Sequence, residues 1–211
     1  MEKTCIELFA GAGGLALGLE KAGFEEIGLV EFDAKACETL RINRPKWNVI
    51  EEDIVEVSKR DLLKEFKLKE GELDLLSGGY PCQSFSYAGK KLGLDDVRGT
   101  MFYYYAESLR QLKPKMFLAE NVKGLTTHDK GRTIQTMIAV FEELGYSVEW
   151  KVLNAWDYGV AEKRQRVVII GIRNDLKGKV KFEYPKPHDY KPVLRDALKD
   201  VPDSPGAKYP E

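Results

Sequence analysis

The sequence predicts an α/β domain built on a mostly parallel sheet, and three observations lead there. Short apolar runs are each followed by a segment whose apolar residues recur at helical spacing. This strand-then-helix alternation continues through the first 144 residues, as βαβ units require. Glycine turns and acidic residues cluster at the carboxyl ends of the runs, where open α/β sheets bind ligands.

With 211 residues, 43% of them hydrophobic, the chain can bury one full core. No signal peptide or membrane span is visible, because the apolar runs are short and broken by charge. Three cysteines at irregular spacing make neither a disulfide framework nor a zinc pattern, and they fit a reducing cytoplasm. Cys5 and Cys37 fall in apolar strand and helix patterns and read as inert core. The net charge of −1 does not advertise a polyanion partner, but it is unevenly spread. Residues 1–57 carry −6 and residues 58–211 carry +5, a bias that solvated faces explain about as well as a nucleic acid does.

The first strand is expected over residues 4–9, running into Ala10-Gly11-Ala12-Gly13-Gly14 and a helix over 15–22 closed by Gly23. Glycines there let a backbone approach a ligand closely at a helix N-terminus. The second strand, 27–32, carries Glu31 about 20 positions later, where one carboxylate can accept from both hydroxyls of a ribose. The pattern also fits the loose dinucleotide fingerprint, so NAD stays open at this point. A helix over 34–43 ends at Arg44-Pro45, and a short strand at Val49-Ile50 leads to Asp53-Ile54. Asp53 suits an adenine amino group, or simply a solvated loop. One charged amphipathic helix is expected from there to about Leu68.

The central strand, 73–76, is broken by Gly78-Gly79, and Pro81 stiffens the turn that presents Cys82. A lone cysteine in a turn is ordinarily inert, so its meaning depends on its neighbours. Residues 84–99 read as a polar, glycine-rich connection or a mobile lid. A helix over 100–112 carries Tyr103, Tyr104 and Tyr105, and three in a row cannot all face the core. The strand at 115–119 ends in Glu120-Asn121-Val122, a second reactive group at the same sheet edge. After a helix over 131–144, two strands are expected at 146–155 and 166–173. Arg164 and Arg166 alternate at the start of the last one and point to one face. Beyond residue 177 the chain is rich in Lys and Pro, with a helical piece at 193–198.

In this order, the glycine turn, strand-end acid, Pro81-Cys82-Gln83, Glu120-Asn121-Val122 and paired arginines resemble the DNA cytosine-5 methyltransferases. These are S-adenosylmethionine enzymes that mark host DNA in restriction–modification systems. Residues 9–14 (Phe9, Ala10, Gly11, Ala12, Gly13, Gly14), with Leu15 after them, are similar to the family's cofactor loop. The resemblance makes Glu31 the ribose ligand, Phe32 the aromatic stacked on adenine and Asp53-Ile54 the adenine pair, with Pro81 and Met101 also bordering the cofactor. It makes Cys82 the nucleophile, Glu120 the acid at the target base, Arg166 the holder of its carbonyl oxygen and Arg164 a supporting residue. Gln83, Ser86 and Arg98 fall in the loop that closes over the base.

The resemblance covers roughly residues 4–200. It implies a Rossmann-like methyltransferase fold, mostly parallel with a C-terminal antiparallel hairpin strand. S-adenosyl-L-methionine is the cofactor it implies, double-stranded DNA the partner and a prokaryotic cytoplasm the setting, with no metal and no membrane. Residues 1–176 would form the catalytic domain, and residues 177–211 would start a linker toward a target-recognition domain. Two departures stand out. Ala161-Glu162 replaces the family's usual Pro-Gln, and the recognition domain and final Asn-rich motif are not in the sequence. The expectation is therefore a second polypeptide or a further C-terminal segment. Rival readings are a tRNA-directed methyltransferase, a catalytically silent binding protein, and an NAD-dependent dehydrogenase that leaves Cys82 and Glu120 unexplained.

Overall fold

The structure, a computed structural model, describes residues 3–81 and 94–201, apart from the side chain of Asp96. Its strands are β1 (Lys3–Leu8), β2 (Phe24–Glu31), β3 (Val49–Glu51), β4 (Leu75–Gly78), β5 (Met116–Val122), β6 (Tyr146–Asn154) and β7 (Gln165–Arg173). They form one sheet in the order β3-β2-β1-β4-β5-β7-β6. All pairings are parallel except those of β7, which runs antiparallel to both β5 and β6. The expected parallel sheet with its C-terminal antiparallel hairpin is what forms. Strand order reverses between β1 and β4, and a crevice opens at the carboxyl ends there.

Side-chain alternation divides the core between two faces. On β1, Ile6 and Leu8 join the large cluster with α5 (Met101–Leu112) and α6 (Arg132–Glu143). Cys5 faces the other way, toward Leu15 and Leu19 of α1 (Gly14–Lys21). Leu40 of α2 (Ala34–Asn43) joins Ala16 and Leu29 on that second face. Cys5 and Cys37 are fully buried, in keeping with a packing role. Of the three consecutive tyrosines only Tyr105 is fully buried, and its hydroxyl lies within hydrogen-bond distance of the Leu76 and Leu118 carbonyls.

Three sequence expectations are corrected. The single helix expected up to Leu68 is two short ones, α3 (Ile54–Val57) and α4 (Leu62–Glu65). Asp53 caps the first through Val55 N–H and Asp61 the second through Lys64 N–H, so a second helix start interrupts the periodic pattern. β2 begins three residues early, because the left-handed Gly23 (φ 85°) turns straight into it. Gly78 does not break the central strand but completes it, paired with Leu8 and Ala119. A Cβ there would lie 2.7 Å from the Leu8 carbonyl oxygen, so glycine is required by packing.

The segment after β7 lies along the hairpin. Tyr184 Oη donates to the carbonyls of Glu149 and Val168, at 3.1 and 3.0 Å, and Trp156 Nε1–H donates to Pro192 O at 2.7 Å. Lys191 is ion-paired with Asp157, and α7 (Leu194–Leu198) follows.

Candidate functional site

Two cavities meet at the switch point. The first, about 430 Å³, is lined by Phe9, Glu31, Phe32, Asp53, Ile54, Gly79, Pro81 and Met101, among others. Seven of these are residues the sequence nominated for the cofactor. Glu31, at the end of β2, is 8% exposed and thoroughly engaged. Its Oε2 accepts from Gly11 N–H at 2.7 Å, and its Oε1 accepts from Phe32 and Asp33 N–H at 2.9 Å each. One carboxylate thereby ties the glycine turn to the end of the neighbouring strand and still faces the cavity. Phe32 stands 72% exposed at the rim, with a ring free to stack on a planar ligand. Asp53 uses Oδ1 to cap α3, which leaves Oδ2 to accept from a ligand amino group.

The second cavity, about 650 Å³, is lined by Glu7, Phe9, Ala10, Gly14, Leu15, Gly79, Glu120 and Arg164, with Phe182 and Tyr184 on its outer wall. Phe9 and Gly79 border both cavities. β1 stops at Leu8, one residue short of the expected end, because Phe9 adopts a left-handed conformation (φ 59°) that is strained for a residue with a side chain. Gly13, the N-cap of α1, is also left-handed (φ 85°), and a Cβ there would come within 2.5 Å of Leu40.

Glu120 projects from the end of β5 across the Gly79 backbone. Its Oε1 accepts from Arg166 Nε at 2.8 Å, and its Oε2 lies 3.0 Å from where a Gly79 Cβ would stand. A side chain at this position would press on the carboxylate beside the turn that leads to Cys82. Tyr80, 2% exposed, anchors that turn among the Phe102 and Tyr105 rings, and Asn121 Nδ2 donates to its carbonyl at 2.8 Å. Arg164 lies one residue before β7 and lines the cavity, while Arg166 reaches it through Glu120, so the two serve one side of the sheet. Arg98 is held at the surface by Asp95 at 2.7 Å and borders neither cavity. Cys82, Gln83 and Ser86 lie outside the described residues.

Sequence reasoning passed over Glu7 and the Phe182–Tyr184 wall, and it named Gly79 and Asn121 within their motifs without giving either a task. For Glu7 a signal was present: a lone acid in an otherwise apolar strand at the middle of a parallel sheet. Burial and the nearby Glu26 push its carboxyl up to about 9. Among the described residues there is no cluster of His, Cys, Asp and Glu able to hold a metal, and no helix long and apolar enough to cross a membrane.

The strand order, the antiparallel β7 and the paired cavities at the switch point define a Rossmann-like methyltransferase domain. More narrowly, the chain belongs to the C-5 cytosine-specific DNA methylase family, whose model matches residues 3–210. It is 58% identical to the Type II methyltransferase M.Sau96I of Staphylococcus aureus over 97% of this chain and 47% of that protein. It is 42% identical to M.AquIA of a Picosynechococcus strain over 89% of this chain and 77% of that protein. A crystal structure described as a DNA modification methyltransferase encoded within an E. coli prophage superposes with a TM-score of 0.79 at 31% identity. That match covers 96% of this chain and 56% of the other. The chain spans about half the length of the first curated relatives it matches.

Proposed function

We propose that this chain is the S-adenosylmethionine-binding, catalytic part of a DNA cytosine-5 methyltransferase of the restriction–modification type. The observation that carries the reading is the shared Phe9–Gly79 boundary. It joins a cavity lined by Glu31 and Asp53 to a second cavity lined by Glu120, beside the turn that runs into Cys82. When bound, the cofactor supplies an electrophilic methyl group on a sulfonium.

The chain's own residues supply the rest. Glu31 and Asp53 bind the ribose and adenine, and Phe32 stacks on the base. The Cys82 thiolate adds to carbon 6 of cytosine, which makes carbon 5 nucleophilic enough to take the methyl group; loss of the carbon 5 proton to a base and expulsion of the thiolate then restore the ring. Glu120 holds ring nitrogen 3 and the exocyclic amino group, and its proton offsets the charge that develops as the thiolate adds. Arg166, already bonded to Glu120, orients that carboxyl and stands near the base carbonyl, with Arg164 beside it. The target atom is inaccessible in a duplex, so the base is flipped into the second cavity, with Gln83 and Ser86 assigned to bind it. Residues 1–176 carry this machinery, and the reading of a particular DNA sequence is assigned to no described element.

The deciding experiment presents duplex DNA carrying 5-fluorocytosine, and separately a tRNA carrying it, with S-adenosylmethionine. A covalent DNA adduct mapped by mass spectrometry to Cys82, and absent from Cys82→Ser, is the expected outcome. Cys82→Ser should keep its cofactor affinity. An adduct at Cys5 or Cys37 overturns the assignment, and an adduct with tRNA alone moves the substrate to RNA.

A further inference from the structure

Arg164 reaches the larger cavity from the turn between β6 and β7, and that turn has little of its own to hold it. None of residues 155–164 is buried, so no core side chain fixes its place. The Arg164 side chain is 50% exposed, and its ion-pair partner Glu162 stands 4.0 Å away, too far for a hydrogen bond. A pair of that length on exposed side chains fixes little. The position of the guanidinium is therefore set by the backbone of the turn.

That backbone is held from outside, by the segment that follows β7. Three consecutive residues of the turn each bond to it. Trp156 Nε1–H donates to Pro192 O at 2.7 Å, and Tyr158 Oη donates to Pro185 O at 3.2 Å. Between them Asp157 accepts twice, at its carbonyl from His188 N–H (2.8 Å) and at its carboxylate from Lys191 Nζ (2.5 Å). The Trp156 ring also has two ammonium groups against it, Lys163 at 4.9 Å and Lys191 at 5.8 Å. Lys163 belongs to the turn and Lys191 to the segment, so one indole joins the two. The far end of the segment is anchored where Tyr184 donates to the Glu149 and Val168 carbonyls. The turn itself is closed by a 3.0 Å bond from Ala155 N–H to Arg164 O. A shift of Trp156 thus passes through its neighbour to the residue that faces the cavity.

We propose that Trp156 is a positioning residue for methyl transfer, and that residues 184–192 form a strap that sets Arg164 against the flipped base. The inference rests on the methyltransferase reading and extends it, because the strap lies in the stretch that the sequence assigns to a linker. Such support matters because a misplacement of ~1 Å in a site can cost ~100-fold in rate. A displacement of the chain beyond Pro192 reaches Arg164 through the same bonds.

A double-mutant cycle on the rate of adduct formation tests this, with saturating 5-fluorocytosine duplex DNA and S-adenosylmethionine. Trp156→Phe keeps a ring and removes the N–H donor. It should slow the adduct by roughly tenfold with cofactor affinity unchanged, and Arg164→Ala should slow it at least as much. In the double variant the two losses should not multiply, because Trp156 acts through Arg164. Lys191→Met, which removes the ion pair and leaves the indole in place, should give a smaller loss of the same kind. Hydrogen exchange in Trp156→Phe should speed up at Ala155 N–H and stay unchanged at Ile169, in the middle of β7. Losses that multiply, a wild-type rate in Trp156→Phe, or unchanged exchange at Ala155 each overturn the proposal. If the wild-type chain forms no adduct, the underlying methyltransferase reading fails instead, and unchanged exchange at Ala155 still removes the strap.

Discussion

Glu31 and Glu7 occupy adjacent parallel strands, both buried and both against a cavity, yet they are built in opposite ways. Glu31 has three backbone N–H donors on its two oxygens. Glu7 has an oxygen without a partner among the described residues and a neighbouring carboxyl, Glu26, that opposes its ionisation. The difference teaches where each carboxylate obtains its stabilisation. Glu31 is held ready by the fold and also ties the glycine turn to β2. Glu7 is left without such donors among the described residues, so its ionised form burdens the folded protein.

The comparison can be broken most directly at Glu31. Glu31→Ala removes the acceptor for the N–H groups of Gly11, Phe32 and Asp33, and at about 1 kcal/mol or more for each it should cost about 3 kcal/mol of stability. Nucleoside binding should vanish with it. Thermal unfolding and calorimetry check both, and a variant as stable as wild type would show that the turn does not depend on Glu31.

Glu7→Gln should act with the opposite sign. The unfolded chain ionises this group above about 4.5, whereas the folded chain keeps it protonated up to about 9. Across that window the folded state binds the extra proton, so wild-type stability falls as pH rises, by at most ~1.4 kcal/mol per pH unit. The glutamine variant lacks this slope. Its unfolding temperature should match wild type near pH 4 and exceed it increasingly toward pH 9. A constant difference between the two across that range would mean that Glu7 does not titrate as its burial implies.

A smaller effect of the same kind is expected from Glu26→Gln. Burial raises Glu26 only to about 7, although the Cys5 thiol beside it favours its ionised form. Its contribution should be confined to the window from about 4.5 to 7 and flat above it, which pH-dependent unfolding can separate from that of Glu7.

The smallest change should come from Gly79→Ala. The added methyl would stand 3.0 Å from Glu120 Oε2 and must displace it by a few tenths of an ångström. Methyl transfer should slow by up to roughly tenfold, or about 1.4 kcal/mol, with Tm nearly unchanged. An unaltered rate would show that the carboxylate tolerates the shift.

Much of this molecule was legible from residue order alone, because its signals are local. Apolar runs, glycine turns and helix caps depend on near neighbours, so the parallel sheet, β7 and the position of α2 could be read directly. Glu31, Asp53 and Glu120 were nominated because a strand end in an α/β sheet is a place with a meaning, and all three line the cavities there. The break between α3 and α4 was missed because Asp61, one acid among many in a charged stretch, becomes a cap only when its side chain turns to Lys64 N–H.

What only the tertiary structure decided is which groups go unsatisfied. Glu31 and Glu7 look alike as letters in apolar strands. A backbone donor from the distant glycine turn joins two local ones on the first, while the register of β1 against β2 sets Glu26 near the other. Likewise Gly78 and Gly79 read as a turn in the chain, but one is fixed by the Leu8 carbonyl and the other by the Glu120 carboxylate. Burial, desolvation and close approach are set by residues distant in sequence. For that reason the chain order names the acids, and the packing alone determines which of them is held by donors and which is buried without them.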